Sequence, residues 1–393
     1  MHITRLRLVD FRNYERLEWA PDPGSNLLLG SNAVGKTNVL EAIATLATSR
    51  SPRASRDSEL IRFGRTSAHL LAEADSVGQG GLTVEMILAP PEAPAATGSI
   101  SRTVRVNSVK KARVSEFMGI LRVVAFWPDD DDLVRGDPSH RRRLMNIALC
   151  QVSPRYCHDL GRYRRALAQR NRLLKALKAG AGGSALQSLP AWDEQLAHYG
   201  ARVIQRRAAF VDSLQPLAAE IHQALTGDRE EFNVSYAPHC APGADESETE
   251  RLYLDRLRGR RSDEIMRGIT LSGPHRDDLA LRINGADART YGSMGQQRTA
   301  ALSLRVGELR LMEEETGEPC IVLMDETFGE LDEARAGRVL EDVLSGRQGF
   351  VTSTGARRLP ESFLQHSAVW RMEDGGWKME DGRSKMDRAN SED

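Results

Sequence analysis

Two short segments at opposite ends of the chain carry parts of one chemistry, and any fold for this sequence has to bring them together. Gly30-Ser31-Asn32-Ala33-Val34-Gly35-Lys36-Thr37 fits the pattern G-x-x-x-x-G-K-[ST]. The apolar run Asn26 to Leu29 before it reads as a strand, and Asn38 to Leu46 after it has the apolar spacing of a helix. Strand, glycine loop and helix are what phosphate binding needs. The loop N–H groups and the helix N-terminus cradle phosphate oxygens, Lys36 reaches the outer phosphates, and the Thr37 hydroxyl ligates Mg²⁺. Far downstream, Ile321-Val322-Leu323-Met324 reads as a buried strand ending in Asp325 and Glu326. A lone glycine loop can be an ordinary strand–turn–helix, and two acids at a strand end are usually solvated. Together they point to a nucleotide site assembled by folding rather than by local sequence.

Composition sets bounds. With 393 residues the chain can hold two or three structural units, and its formal net charge of −1 means that any polyanion must be bound by local patches. The four cysteines, Cys150, Cys157, Cys240 and Cys320, form no C-x-x-C pair, which favours reduced thiols over a disulfide framework or a zinc site. Met1 to Leu8 alternates like a strand and lacks an apolar signal core, and no apolar run is long enough to span a bilayer. A soluble cytoplasmic protein is expected, with no membrane partner.

A third segment sharpens the reading. Ser293-Met294-Gly295-Gln296 precedes an apolar-periodic helix and resembles the signature motif of ABC-type ATPases, although a serine there is also an ordinary helix N-cap. Glu330-Leu331-Asp332 resembles the D-loop of the same class. In such ATPases the signature helix of one subunit completes the γ-phosphate shell of ATP held by another, so the resemblance implies a homodimer formed with ATP.

Between the motifs, Thr83–Leu88, Thr103–Val106 and Leu121–Phe126 read as strands, and 90–98 as a turn-rich connector. Helical spacing runs from about residue 139 for some forty residues, breaks at Ala179–Ser184 and resumes from about Ala191 to Leu225. The expected fold is α/β, an ABC-type P-loop ATPase head with an inserted α-helical lobe. The head comprises 1–138 and 229–370, the helical hairpin 139–228 and a disordered tail 371–393. Strands are expected at Phe232–Tyr236, Gly268–Leu271 and Leu279–Ile283.

Further marks make the resemblance specific: Phe11-Arg12-Asn13-Tyr14, Gly30 to Asn38, Leu40-Glu41-Ala42-Ile43, Arg50-Ser51-Pro52-Arg53, Phe126-Trp127-Pro128-Asp129-Asp130, Gly273-Pro274-His275-Arg276-Asp277-Asp278 and Gly295-Gln296-Gln297-Arg298-Thr299. Over nearly its whole length the chain resembles the RecF family of bacterial recombination and gap-repair ATPases. The resemblance implies ATP and Mg²⁺ as ligands and ATP-dependent dimerisation on double-stranded, gapped or junction DNA. It also implies a role in loading the strand-exchange protein RecA, with RecO and RecR as partners. Met294, Asp131, Gly329 and Glu326 depart from the usual family residues.

The site residues divide by role. Asp325 is expected to hold Mg²⁺ through water beside Thr37, because a hard cation takes oxygen ligands, and Glu326 to orient or deprotonate the attacking water. By the resemblance, Asp129 or Asp130 falls where ABC ATPases place a metal-contacting glutamine, though the acidic run reads equally as a solvated loop. Thr352 or Thr354 takes the place of the transporters' switch histidine, with β-propensity as the alternative. Gly30, Ser31, Asn32, Ala33, Val34, Gly35, Lys36, Thr37 and Asn38 would contact nucleotide. Arg12 joins them by family analogy, and Ser293, Gly295 and Gln296 join from a second copy. His275 and Arg276 read either as a nucleotide or DNA contact or as part of a salt-bridge cluster. Arg141, Arg142 and Arg143, with Arg162, Arg164, Arg165, Arg170 and Arg172, form a basic stretch suited to DNA phosphates, or else a solvated helix face.

Rival functions fit less well. In a transporter ATPase the glycine loop and signature share one compact domain and a histidine follows the acidic strand. Here Lys36 and Ser293 are far apart, and no histidine lies between His275 and His366. A chromosome-scaffold or zinc-hook ATPase would need a longer helical insert, and the hook a C-x-x-C. An ATP-gated DNA clamp with slow hydrolysis overlaps the favoured reading.

Overall fold

The alternating residues at the start of the chain form strand β1 (His2–Phe11), which buries Ile3, Leu6, Leu8 and Phe11. A register shift between Ile3 and Arg5 accounts for the skipped beat, since one extra residue turns every later side chain to the opposite face. The chain continues through β2 (Tyr14–Trp19), β3 (Ser25–Leu29), helix α1 (Lys36–Thr48), β4 (Ala68–Ser76), β5 (Gly80–Ala89), β6 (Ser101–Val106), β7 (Val109–Lys111) and β8 (Val123–Phe126). Strands β2-β1-β4-β5-β6-β7 make an antiparallel sheet in that order, whereas β3 and β8 join a second sheet completed near the other end of the chain. The computed structural model describes residues 1–78, 80–91, 100–180, 182–327, 333–356, 359–373 and 376–379. Met1–Asp129 with Met312–Asp393 forms one compact unit and Asp130–Leu311 another.

The second unit begins with α2 (Asp132–Arg135), α3 (Pro138–Val152), α4 (Pro154–Lys178) and α5 (Ser184–Thr226). The continuous helix expected from about residue 139 is therefore two. Ser153 caps α4 by accepting from the Tyr156 N–H at 3.2 Å, and Pro154, with no N–H to give the preceding helix, starts the new one. Helix α4 packs along α5, which begins at Ser184 rather than near Ala191 and runs through Pro190 and Pro216. Then follow β9 (Phe232–Ala237), α6 (Glu246–Gly259), α7 (Arg261–Arg267), β10 (Asp278–Ile283), β11 (Ala286–Asp287), α8 (Ala288–Tyr291) and α9 (Met294–Thr316).

Two sequence-based expectations change here. Residues 229–311 cluster with the helical hairpin rather than with the head, because β9 packs on α5 and β10 on α3. Gly268–Leu271 is a turn, not a strand. Gly268 ends α7 in the left-handed region at φ 72°, the Ile269 N–H still goes to Glu264 O at 3.2 Å, and the two after it go to side chains: Thr270 to Asn171 Oδ1 at 2.8 Å and Leu271 to Glu264 Oε1 at 2.7 Å.

The chain returns to the first unit with β12 (Ile321–Asp325), α10 (Glu333–Leu344), β13 (Gly349–Ser353), α11 (Glu361–Gln365), β14 (Ser367–Glu373) and β15 (Gly376–Met379). The second sheet runs β15-β14-β3-β13-β12-β8, parallel except for the β14–β15 hairpin. Residues 371–373 and 376–379, expected to belong to a disordered tail, thus pair as strands in that hairpin. Trp377 is buried there and donates its ring N–H to Tyr14 Oη at 3.2 Å. Residues 380–393, most of the 90–98 connector and Gly329 to Asp332 lie outside the described residues. No helix among the described residues is long and apolar enough to cross a membrane, and all four cysteines are buried and in no disulfide.

Arg170 organises the second unit's interior. It is fully buried and donates to Asp193 Oδ1 at 2.7 Å, Glu264 Oε2 at 2.6 Å and Thr270 Oγ1 at 2.9 Å, while Arg261 holds the other Asp193 oxygen at 2.7 Å. Replacing Arg170 by Ala would leave the Glu264 carboxylate buried without its cation. We expect a loss of about 3–5 kcal/mol in urea unfolding. A loss below about 1 kcal/mol, the range of an exposed pair, would show that the cluster is far better solvated than its burial indicates.

Candidate functional site

Strand pairing brings the distant motifs to one edge. β13 lies between β3 and β12, with Thr352 opposite Leu28 on one side and opposite Asp325 on the other. The glycine loop leaves β3 at the carboxyl edge of this parallel sheet, where open α/β sheets place ligands. Asp325 and Glu326 leave β12 at the same edge. Strand β8 pairs with β12 through Phe126 opposite Met324, so the exposed Asp129 follows from a neighbouring strand.

The loop conformation needs its glycines. Gly35 has φ 115°, and a Cβ there would lie 2.6 Å from Tyr14 Oη and 2.8 Å from Asn13 Nδ2. Those two side chains hold the loop from outside: Tyr14 donates to Gly35 O at 3.0 Å and Asn13 to Val34 O at 3.2 Å, while Asn38 donates to Asn13 Oδ1 at 2.8 Å. Ser31, Asn32 and Ala33 are exposed. Lys36, 4% exposed, folds its ammonium onto Gly30 O at 2.7 Å and Ser31 O at 3.0 Å, with Glu326 Oε1 at 3.6 Å.

The acids are equally defined. Asp325 Oδ1 accepts from Thr37 Oγ1 at 2.9 Å and from Thr352 Oγ1 at 2.8 Å. Thr352 in turn accepts from the Glu326 N–H at 3.1 Å. Burial raises the Asp325 carboxyl above the ordinary aspartate value, against the hydrogen bonds from Thr352 and Thr37 and with a further rise from Glu326. Glu326 sits at φ 48°, an uncommon region for a residue with a long side chain, and its carboxylate is 42% exposed. Thr37 Oγ1 and Asp325, whose Oδ2 has no partner among the described residues, form the hard-oxygen set that Mg²⁺ prefers. Thr354, the alternative to Thr352, is exposed.

Arg12, expected on phosphates by analogy, is engaged elsewhere. It makes a two-pronged pair with the buried Glu41, Nε to Oε2 at 2.8 Å and Nη2 to Oε1 at 2.6 Å, and gives Nη1 to Glu59 O at 2.8 Å. Glu41 also accepts from Ser51 Oγ. Glu41, Asn13 and Tyr14 are residues that sequence reasoning gave no role. The signals were their places in the marks Phe11-Arg12-Asn13-Tyr14 and Leu40-Glu41-Ala42-Ile43, and an acid inside the apolar run of α1.

Within the second unit, Ser293 and Gln296 cap α9 reciprocally, Ser293 N–H to Gln296 Oε1 at 2.8 Å and Gln296 N–H to Ser293 Oγ at 3.3 Å. Ser293, Met294 and Gly295 are exposed, and Gln296 also reaches Glu230 Oε1 at 2.9 Å. Asp130 spends both oxygens on Arg305, at 3.0 and 2.6 Å.

The arginine run is not a single exposed patch. Arg141 is buried, pairing with both oxygens of Asp278 at 2.6 and 2.9 Å and giving Nη1 to Leu133 O at 3.0 Å and Gly136 O at 3.1 Å. It anchors α3 and cannot reach a DNA phosphate from there, and the buried Arg170 is excluded for the same reason. Arg142 is half-buried and donates to Asp277 O at 2.8 Å, whereas Arg143, Arg162, Arg164, Arg165 and Arg172 are exposed. His275 is held internally, Nδ1 2.6 Å from Tyr163 Oη and Nε2 3.3 Å from Thr270 O, and burial lowers its pKa to about 4. Its neighbour Asp277 pairs with Arg207 at 2.9 Å, so this motif is in large part the structural cluster.

Comparison with known proteins agrees with this geometry. The AAA domain family matches residues 5–113. The DNA replication and repair protein RecF of Staphylococcus aureus strain JH9 is 37% identical over 379 residues, 95% of this chain and 99% of that protein. The solved structure of the recombination mediator protein RecF with ATP, in the RecFOR pathway, superposes with a TM-score of 0.86 at 30% identity, covering 97% of this chain and 98% of that one. An Smc head bound to the C-terminal winged-helix domain of ScpA shares the fold alone, at TM-score 0.52 and 16% identity. With its glycine loop and acidic strand end at one edge of a parallel sheet and a relative 37% identical along nearly its whole length, the chain belongs to the RecF family of DNA replication and repair proteins, within the P-loop ATPase class.

Proposed function

We propose that this protein binds Mg²⁺·ATP in the first unit, pairs with a second copy on DNA in the ATP-bound state, and hydrolyses ATP slowly to release itself. The observation that carries this reading is the Asp325 carboxylate shared by Thr37 and Thr352 beside Lys36. Lys36 would turn from the loop carbonyls to the outer phosphates. Thr37 and Asp325 would hold Mg²⁺, which supplies charge neutralisation for the β- and γ-phosphates. Glu326 is set to accept a proton from water, its backbone fixed by Thr352. Ser293 and Gly295, exposed at the start of α9, would meet the γ-phosphate of the other copy. In the cytoplasm, ATP-dependent pairing around gapped or junction duplexes, with RecO and RecR, would serve the loading of RecA.

Glu326→Gln is expected to retain ATP binding and to slow turnover by about a hundredfold or more, because the amide cannot take the proton. The ATP-bound dimer then accumulates on gel filtration. Wild-type turnover in this variant would move the base to Asp129.

Because burial raises the Asp325 pKa, the ionised form that metal binding needs is lost at a higher pH than for an ordinary aspartate. Mg²⁺·ATP affinity should therefore fall as the pH is lowered, starting from a higher pH than an ordinary aspartate would set, and Asp325→Asn should weaken that dependence at a lower overall affinity. The same sign makes the ligand-free variant at least as stable as wild type near neutral pH, since the buried carboxylate is the form disfavoured there. A destabilised variant with unaltered pH dependence would refute the assignment.

DNA affinity should require ATP and fall steeply with salt. Replacing the exposed Arg162, Arg165 and Arg172 together by Ala should reduce the salt slope by up to about 3 without loss of stability. Arg141→Ala should do the reverse, lowering the melting temperature through the unpaired Asp278. An unchanged slope in the triple variant would remove this helical face from the DNA surface.

A further inference from the structure

A cavity of about 150 Å³ opens in the second unit among α3, α4, α5 and the Gly273–Arg276 turn. Its polar lining is Arg142, Asn146, Tyr163, Arg164, Arg207 and His275, and no acidic residue lines it. Three of those six residues are arginines. Buried Arg207 gives Nε to Tyr156 Oη at 3.2 Å, Nη1 to Pro274 O at 2.6 Å and Asp277 Oδ2 at 2.9 Å, and Nη2 to Asn146 Oδ1 at 2.9 Å. A guanidinium has five N–H groups, so one is left over. Asn146 Oδ1 also accepts from Tyr156 Oη at 2.8 Å, which fixes the amide and leaves its NH₂ without a partner among the described residues.

Arg142 makes one hydrogen bond, to Asp277 O, and no ion pair among the described residues. The carboxylates nearby are spent. Asp278 is taken by Arg141, and Asp277 by Arg207, Tyr236 and the His239 N–H. Burial, then the charge of Arg207, hold the Arg142 guanidinium below the ordinary arginine value, the mark of a desolvated cation beside another. Both ring nitrogens of His275 are occupied by Tyr163 and Thr270.

We propose that this cavity is an oxyanion site that takes one phosphate group, with Arg142 and Arg164 as its charged donors and Arg207 and Asn146 completing the shell. A ligand that only accepts hydrogen bonds and carries negative charge is the class that matches such a lining. The space equals about five water molecules at about 30 Å³ each, room for the five heavy atoms of orthophosphate. Free phosphate and a phosphate of a DNA strand offer the same chemistry.

The test is calorimetric titration of the full chain with inorganic phosphate, Mg²⁺·ADP saturating the glycine loop throughout. Wild type is expected to bind one phosphate. Arg142→Met and Arg164→Met should each bind it roughly tenfold or more weakly, as removal of one charged donor entails, and Arg165→Met, an exposed α4 control outside the cavity, should bind it normally. The ligand-free Arg142→Met should melt at or above the wild-type temperature, because it loses a half-buried cation placed beside another. No phosphate bound by the ADP-saturated wild type, or full affinity in both cavity variants, would overturn the site. Adding a gapped duplex separates the sources: displacement of phosphate assigns the anion to a DNA strand, and independent binding assigns it to free phosphate.

Discussion

The chemistry of the first unit depends on one strand: β13 lies between β3 and β12 and pairs in parallel with both. The two motif strands do not pair with each other. What joins them is a strand whose own contribution is Thr352, and that threonine does in hydrogen bonds what β13 does in the sheet. It donates to Asp325 and accepts from the Glu326 backbone, so the two acids are oriented by a residue from the intervening strand. A slip of one residue in β13 would turn Thr352 to the other face and leave Asp325 with Thr37 alone.

Sequence reasoning reached those features whose cause is local. The glycine loop, the run Ile321–Met324 and the cap at Ser293 each follow from a few adjacent residues, because a left-handed glycine, a buried strand and an N-cap are decided within one turn of chain. Features whose cause is a distant partner were less legible. Nothing near Arg141 announces Asp278, and nothing near Gly268 announces that Asn171 will take the Thr270 N–H a strand would have offered its neighbour. Arg12 is the instructive middle case. Its family mark was visible, but the carboxylate it serves, Glu41, reads in sequence as an interruption of an apolar helix.

The arginines of the second unit divide by burial. Arg141, Arg170 and Arg207 are inside, each with at least one carboxylate and a set of carbonyl or hydroxyl acceptors, whereas Arg162, Arg165 and Arg172 are outside. The buried ones hold particular pairs of elements in register: α3 to β10, α4 to α5 and α7, and α5 to the turn before β10. Hydrophobic substitutes of equal volume would not necessarily lower stability, but they would remove the directional bonds that fix those registers. A basic composition along a helix thus says little about nucleic acid until each guanidinium has been assigned an acceptor.

The discontinuity of the first unit also governs the order in which the protein can be made. Strand β3 and its glycine loop leave the ribosome early, yet both neighbours of β3 in the sheet, β13 and β14, belong to the last part of the chain. At ordinary translation rates that is a wait on the order of tens of seconds. Throughout it the apolar Leu27-Leu28-Leu29 has no sheet to join, while the contiguous segment 130–311 can collapse as soon as it emerges. Newly made chains of this protein should therefore carry an exposed hydrophobic strand for most of their synthesis, a natural client for a ribosome-associated chaperone.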